Sequence, residues 1–155
     1  MLARTIFGLV DWAARKGLAE SSVVPARSAA SGLKARRTGV RGETYAYWYL
    51  RRKGYVMVAR NFTVRGVKGE IDLVGYDGKT LAFVEVKTRT SPRDDVGSPE
   101  NAVTPEKQRL LSRMARQFLR EYRANSVPFR FDILAIEALP GSRPVVRLHK
   151  GAFAA

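Results

Sequence analysis

Hydrophobic residues recur at helical spacing over residues 40–53 and predict a first helix there. Ala46, Tyr49 and Leu50 form its apolar stripe. Basic residues then precede Gly54, and cations followed by a glycine are typical of the C-terminal end of a helix. The pattern therefore gives this helix an apolar face that needs a packing partner.

Apolar runs separated by turn residues predict five strands, at residues 55–61, 69–76, 81–89, 129–137 and 145–149. Asp77-Gly78 is a hairpin signal between the second and third strands. Between the third and fourth strands, Thr104 is the N-cap of a second helix that runs to about Ala124. The order α-β-β-β-α-β-β implies an α/β fold in which helices flank a mixed central β-sheet.

Residues 1–38 lack this regular pattern and are predicted to be a basic extension, partly helical or flexible, ahead of a domain over residues 39–155. Helical spacing favours a short amphipathic helix over residues 3–18, and the Ser- and Ala-rich residues 20–38 are typical of a linker. An Arg- and Ser-rich start also resembles an organellar transit peptide. Its acidic residues favour instead an extension that packs on the domain or stays mobile.

The charge balance changes which partners are considered. The 155 residues include 28 Lys and Arg against 14 Asp and Glu, a formal net charge of +14. A polyanion is the first partner to consider, either nucleic acid or an anionic membrane face, and the alternative is a basic solvated surface. The chain has no cysteine, which excludes disulfides, a thiolate nucleophile and a Cys-based zinc site, and which fits a cytoplasmic protein. No apolar run is long enough to span a bilayer.

Acidic residues on two adjacent predicted strands are the strongest candidates for chemistry. Side chains alternate along a strand, so Glu85 and Lys87 share one face of the third strand. The hairpin makes the second strand an antiparallel neighbour, so Asp72 can lie beside both. Paired carboxylates suit Mg²⁺ or Mn²⁺, and a nearby lysine can orient water or stabilise charge on a phosphate. The alternative is a plain surface ion pair, because Glu-x-Lys is common on exposed strands.

Glu43 adds a carboxylate from the first helix. Its neighbours at i+3 and i+7 are Ala46 and Leu50, which place Glu43 on the side of the helix that faces the sheet. An acid that points inward needs a partner for its charge. Glu43 is therefore a candidate third carboxylate of the same site.

An Asp followed by Glu-x-Lys on adjacent strands, after a helix that bears Glu, resembles the PD-(D/E)XK nuclease superfamily. Within it, the chain most resembles the YraN-like proteins, which are similar to archaeal Holliday junction resolvases. The match covers about residues 40–150. It rests on Gly42-Glu43, Tyr49-Leu50, Gly54-Tyr55, Arg60-Asn61, residues 69–74 (GEIDLV), residues 83–89 (FVEVKTR), Lys107 and residues 130–132 (RFD).

The resemblance implies a restriction-endonuclease-like core and a metal-dependent endonuclease that acts on DNA, branched or junction DNA included. Glu43, Asp72 and Glu85 would be the metal-site carboxylates, with Mg²⁺ or Mn²⁺ as cofactor, and Lys87 the catalytic lysine. The superfamily's usual proline before the first aspartate is replaced by Ile71. Resolvase-like nucleases often act as dimers, so the resemblance also leaves a homodimer open.

Basic residues recur along one face of the second helix, opposite its apolar face. This arginine stripe consists of Arg109, Arg113, Arg116, Arg120 and Arg123. Like charges at this spacing repel one another, so a stripe that is kept despite that cost predicts a phosphate-binding surface. The alternative is a solvated face of a basic protein. Lys107, at the helix start, and Arg89, at the end of the third strand, complete the predicted nucleic-acid-binding residues.

Other polar and aromatic residues have more ordinary interpretations. Glu70 shares a face with Asp72 and is predicted to be structural rather than an outer ligand. Asp132 is predicted to be a structural acid paired with Arg130 or Arg89. Trp48 and the tyrosines of the first helix could stack on bases, although core packing is the more common use of such residues.

Three functional hypotheses follow. The first is a Mg²⁺-dependent endonuclease. The second is a nucleic-acid-binding module on a nuclease-like fold without efficient catalysis, which the arginine stripe and the +14 charge favour. The third is association with a membrane surface through residues 3–18.

Overall fold

The computed structural model describes residues 27–91 and 103–155, with side chains described from residue 39 onward. The chain divides into two compact units, Met1–Leu33 and Lys34–Ala155. The second unit contains the whole sheet. The helix predicted over residues 3–18 lies outside the described residues.

Within the described residues, two helices and five strands follow one another in the predicted order. The helices are α1 (Arg27–Arg52) and α2 (Pro105–Glu121). The strands are β1 (Val56–Phe62), β2 (Ile71–Asp77), β3 (Thr80–Arg89), β4 (Phe129–Glu137) and β5 (Val145–Phe153). The predicted α/β class is confirmed. Neither helix is long and apolar enough to cross a membrane.

Helix α1 begins at Arg27, well before the predicted start at residue 40. The prediction of a linker over residues 20–38 is therefore wrong for residues 27–38, and residues 20–26 lie outside the described part of the chain. Small residues suggested a linker, but alanine and arginine are both good helix formers, and no proline interrupts this segment.

Two other predicted ends also moved. Helix α2 ends at Glu121 rather than near Ala124, because Arg123 adopts a left-handed conformation with φ of 52°. Strand β5 runs on to Phe153, whose ring stacks on Phe131 of β4 at 4.6 Å between centroids. Gly151, with φ of 64°, interrupts the strand pattern just before Phe153, and the β4–β5 register shifts at the same place.

The five strands form one mixed sheet in the order β1-β2-β3-β4-β5. Only β3 and β4 are parallel, and α2 is the crossover between them. The β2–β3 hairpin turns through Gly78 and Lys79, and Gly78 has the positive φ that such a turn requires. In the register of this hairpin, Leu73 pairs with Val84, so the next residues outward are Asp72 and Glu85.

Each face of the sheet carries one helix. Phe118 of α2 packs with Phe83 and Phe131 in one buried cluster. Ala46 and Leu50 of α1 belong to a second buried cluster with residues of β2, β3 and β4. The predicted arrangement of helices flanking a central sheet is confirmed, and it brings the start of α2 and the middle of α1 near the same strands.

Acidic side chains at the hairpin end of the sheet are fully paired. Asp132 is completely buried and accepts hydrogen bonds from Arg130 (2.8 Å) and from the backbone N–H of Gly151 (2.9 Å). Arg130 also donates to Asp77 at 2.7 Å. The prediction that Asp132 is a structural acid paired with Arg130 is confirmed. We call these residues and their two further partners the paired cluster: Tyr55, Asp77, Arg130, Asp132 and Lys150.

Candidate functional site

Three carboxylates meet at the other end of the β2–β3 hairpin. Asp72 lies on β2, Glu70 just before that strand, and Glu43 on α1. One carboxylate oxygen of each lies within 4.8 Å of the others. Three negative charges at this spacing repel one another unless a cation or protons compensate them. We call Glu43, Glu70 and Asp72 the acidic cluster.

The close packing of α1 on β3 positions Glu43. A Cβ atom at Gly42 would collide with Oγ1 of Thr88, so only glycine allows the helix this approach. Ala46 and Leu50, one and two turns further along, are completely buried against the sheet. Glu43 is thereby held at the sheet-facing side of the helix, as predicted, and its Oε2 accepts a 2.9 Å hydrogen bond from Asn61 of β1.

Asp72 is the most buried member of the acidic cluster. Its Oδ2 accepts a 2.7 Å hydrogen bond from the backbone N–H of Val86, which ties the side chain to β3. Burial, followed by the negative charges of Glu85 and Glu43, raises the pKa of Asp72 to about 7 despite that hydrogen bond. A carboxyl group with such a pKa can exchange its proton for a cation near neutral pH.

Glu85 lies beside Asp72 and is 5% exposed. Its Oε1 accepts a hydrogen bond from Lys87 at 2.9 Å and lies 3.4 Å from Nζ of Lys107. Its Oε2 is also buried, and no described residue donates a hydrogen bond to it. A buried carboxylate oxygen without a donor is costly, which makes this atom the clearest open ligand position in the site.

Two lysines reach Glu85 from different elements. Lys87 follows it on β3, and Lys107 comes from the first turn of α2, which Thr104 caps through the backbone N–H of Lys107. Their side chains are 40% and 30% exposed, so both ammonium groups lie between the buried carboxylate and solvent. This edge of the site therefore offers positive charge to an anion that approaches from outside.

The site differs in one respect from the predicted set of Glu43, Asp72 and Glu85. The three-carboxylate group contains Glu43 and Asp72, but its third member is Glu70, which was expected to be structural. Glu85 lies outside that group and is turned toward the lysines. The shared face of Glu70 and Asp72 was the signal that could have placed Glu70. Asn61 gave no signal beyond its place in a family motif.

The arginine stripe is exposed on α2 at Arg109, Arg113, Arg116 and Arg120, on the side opposite Leu111, Met114 and Phe118. The predicted fifth member, Arg123, is exposed but lies beyond the end of α2 in a left-handed conformation, so it is not part of this helix face. Arg109 pairs with Glu106 at 3.1 Å, and Arg120 donates to Gln117 at 2.6 Å. These contacts run along the helix surface and are open to solvent, so they leave the guanidinium groups accessible.

A shallow groove of about 400 Å³ runs beside the stripe. Its basic residues are Arg109, Arg113 and Arg116, and its other lining residues include Gln108 and Ser112. The groove therefore joins three positive charges to neutral hydrogen-bonding groups, a combination that suits a phosphate backbone.

Arg89 is not on this surface. Its Nε donates to the backbone carbonyl of Ser91 at 3.0 Å, and its guanidinium lies 3.6 Å from Glu137 of β4. Glu137 also pairs with Arg147 of β5. These contacts hold Arg89 along the strand ends, so the structure does not bring it together with the arginine stripe.

Most of the second unit, Lys34–Ala155, is similar in sequence to known proteins. A family profile described as "Uncharacterised protein family UPF0102" matches residues 42–136. The chain is 44% identical over 117 residues to a UPF0102 protein of Koribacter versatilis, covering 76% of this chain and 79% of the relative. It is 45% identical over 119 residues to one of Symbiobacterium thermophilum, covering 77% and 98%. It is 46% identical over 115 residues to one of Geobacter sulfurreducens, covering 74% and 87%.

Proposed function

The chain belongs to the UPF0102 family, also called the YraN family, and for this member we propose a metal-dependent endonuclease that hydrolyses phosphodiester bonds in DNA. The observation that carries the proposal is the buried Oε2 of Glu85, which receives no hydrogen bond from the described residues and lies beside the acidic cluster. Evolution for stability alone would pair or remove such an atom.

The residues present suit a divalent cation. Carboxylate oxygens are the ligands that Mg²⁺ and Mn²⁺ prefer, and Glu43, Glu70, Asp72 and Glu85 supply them. Among the described residues, Glu43, Glu70 and Asp72 form no salt bridge, and the raised pKa of Asp72 indicates that positive charge is lacking beside it. Bound there, Mg²⁺ or Mn²⁺ would supply Lewis acidity and lower the pKa of a water molecule.

The protein's own residues would orient the substrate. Lys87 holds its ammonium 2.9 Å from Oε1 of Glu85 and is partly exposed, so it can donate to a phosphate oxygen without leaving its carboxylate. Lys107 adds a second donor from the start of α2. We infer that Lys87 orients the attacking water or stabilises charge on the scissile phosphate, and that Lys107 binds the backbone beside it.

The arginine stripe supports DNA as the substrate. Its exposed arginines lie on the face of α2 opposite the side from which Lys107 reaches Glu85, because Lys107 is rotated by about 160° from Arg109 around the helix. The stripe therefore offers a DNA backbone a second contact surface, separate from the acidic cluster. Each phosphate contact releases counterions, which makes such binding strongly dependent on salt.

A cleavage screen tests the proposal. Duplex, single-stranded, flap and junction DNA are incubated with the protein and Mg²⁺ or Mn²⁺. We expect metal-dependent cleavage of at least one substrate, and its loss by at least about a hundredfold in Asp72→Ala and Glu85→Ala. Glu121→Ala, an exposed glutamate on α2, is the control and should retain activity. Absence of cleavage for every substrate with both metals would overturn the proposal.

The exposed stripe also favours a second candidate, a nucleic-acid-binding module on a nuclease-like fold without efficient catalysis. Charge reversal of Arg113 and Arg116 should then lower DNA affinity and flatten its salt dependence, while Asp72→Asn leaves binding intact. Unchanged affinity of the charge-reversed protein would exclude this candidate. A homodimer and a cytoplasmic location stay predictions, to be tested by sedimentation and by cell fractionation.

A further inference from the structure

One face of α1 combines aromatic rings with cations. Thr44, Tyr47, Trp48 and Arg51 are spaced i, i+3, i+4 and i+7, so they lie on the same side of the helix. The rings of Tyr47 and Trp48 meet edge to face, with 5.2 Å between centroids. Both side chains are half-buried rather than enclosed in the core.

Two arginines flank these rings. The guanidinium of Arg51 lies 5.5 Å from the Trp48 ring and 6.0 Å from the Tyr47 ring. Arg60, on the edge strand β1, lies 5.1 Å from the Tyr47 ring and donates to Oγ1 of Thr44 at 3.3 Å. We call Tyr47, Trp48, Arg51 and Arg60 the aromatic–arginine surface.

The positive charge of this surface is not balanced by acids. Among the described residues, Arg51 and Arg60 form no salt bridge, and both are exposed. Lys53 follows directly after α1 and adds a further positive charge. A surface with paired cations and half-exposed rings is suited to a ligand that carries both negative charge and planar groups.

The surface adjoins the acidic cluster on both of its elements. Thr44 directly follows Glu43 on α1, and Arg60 directly precedes Asn61 on β1, whose side chain donates to Glu43. A DNA strand with one phosphate at the acidic cluster therefore needs to extend only a short distance to reach the rings of Tyr47 and Trp48.

We propose that this surface binds unpaired nucleotides: Tyr47 and Trp48 stack on exposed bases, while Arg51 and Arg60 bind the flanking phosphates. Bases in a duplex already stack on one another and offer no free face at the side of the helix, so the surface selects DNA with a single-stranded segment. The proposal rests on the proposed function for its role in substrate choice. It names that substrate class as DNA with unpaired nucleotides next to the cleaved bond.

Tryptophan fluorescence tests the stacking directly. The chain has two tryptophans, and Trp12→Phe leaves Trp48 as the single reporter. The full chain is titrated in EDTA with single-stranded oligothymidylate, and separately with a blunt hairpin duplex of equal phosphate number. We expect quenching by the single strand and little quenching by the duplex, because only unpaired bases can stack on the ring.

Matched variants test the affinity. Tyr47→Leu and Trp48→Leu keep apolar volume but lose the ring, and each should weaken single-strand binding about tenfold, while Tyr47→Phe retains it. Tyr45→Leu is the control, because Tyr45 is 46% exposed on the same helix but points about 160° away from Tyr47. Duplex binding should stay within about twofold in all of these variants.

Equal quenching by single strand and duplex would overturn the proposal, as would unchanged single-strand affinity in both leucine variants. These measurements need no cleavage. If quenching is found but no substrate is cut, the endonuclease proposal fails and the surface stands. If cleavage is found without quenching, the surface fails and the endonuclease proposal stands.

Discussion

Acidic side chains lie at both ends of the β2–β3 hairpin, and the two groups differ in their partners. In the paired cluster, hydrogen bonds from Lys150 and Arg130 hold the pKa of Asp77 below its ordinary value. In the acidic cluster, burial and neighbouring carboxylates raise the pKa of Asp72 to about 7. Two aspartates of one strand are thus shifted in opposite directions.

This difference in partners distinguishes acids that stabilise the fold from acids that are candidates for binding or catalysis. Buried charges are tolerated when opposite charges and hydrogen bonds compensate their lost hydration. Arg130 provides this compensation for buried Asp132. Within residues 27–91 and 103–155, the acidic cluster forms no salt bridge and Oε2 of Glu85 accepts no hydrogen bond. Such sites cost stability, and proteins retain them where a ligand or a reaction requires them.

The largest expected effect is the loss of Arg130. Arg130→Ala leaves Asp132 buried without its cation, so we expect the free energy of unfolding to fall by about 3–5 kcal/mol. Urea denaturation measures it. Lys87→Ala removes a cation that is 40% exposed at the opposite end of the β2–β3 hairpin. This variant should lower the free energy of unfolding by less than about 1 kcal/mol. Similar losses in the two variants would break the comparison.

A divalent cation should act only on the acidic cluster. Mg²⁺ or Mn²⁺ at about a hundred times its dissociation constant should add about 2.7 kcal/mol of stability, and thermal unfolding should shift up by about 5–10 °C. Asp72→Ala should abolish that shift. Glu137→Gln, at a surface pair of β4, should retain it. A shift of equal size in Asp72→Ala would place the ion elsewhere.

A smaller effect is expected where α1 approaches β3. Gly42→Ala places a Cβ atom against Thr88, so the helix must shift and we expect a loss of about 1–3 kcal/mol. The shift should also displace Glu43 and weaken the cation-induced rise in melting temperature. Thr88→Ala in the same chain removes the colliding Oγ1 and should recover part of both losses. Unchanged cation binding in Gly42→Ala would show that Glu43 is not positioned by this contact.

Local patterns predicted the parts of the site that depend on strand alternation. Asp72, Glu85 and Lys87 were placed together because they lie on neighbouring strands of a hairpin. Glu70 was underrated because its shared face with Asp72 does not show how near α1 comes, and its approach to Glu43 depends on how α1 packs. The end of β5 was missed for a related reason, since its pairing with β4 extends the strand beyond the local pattern. The start of α1 was missed because its small residues were interpreted as a linker.

The last and smallest prediction concerns Asp72→Asn in the metal-free protein. Because the folded-state pKa of Asp72 is raised from 3.8 to about 7, the folded wild type holds a proton that the unfolded chain releases between these values. Wild-type stability should therefore fall as the pH rises from about 4 to about 7. Asparagine carries no charge, so the stability of the variant should not fall in this way as the pH rises.

In EDTA, Asp72→Asn should thus match the wild type near pH 4 and exceed it by on the order of 1 kcal/mol at pH 8. Urea unfolding at the two pH values measures the difference. Asp77→Asn should behave in the opposite way, losing stability at pH 8, because the pKa of Asp77 is lowered by its cations. If both variants are destabilised at pH 8, Asp72 is a paired structural acid like Asp77. The contrast between the two ends of the hairpin would then not identify a functional site.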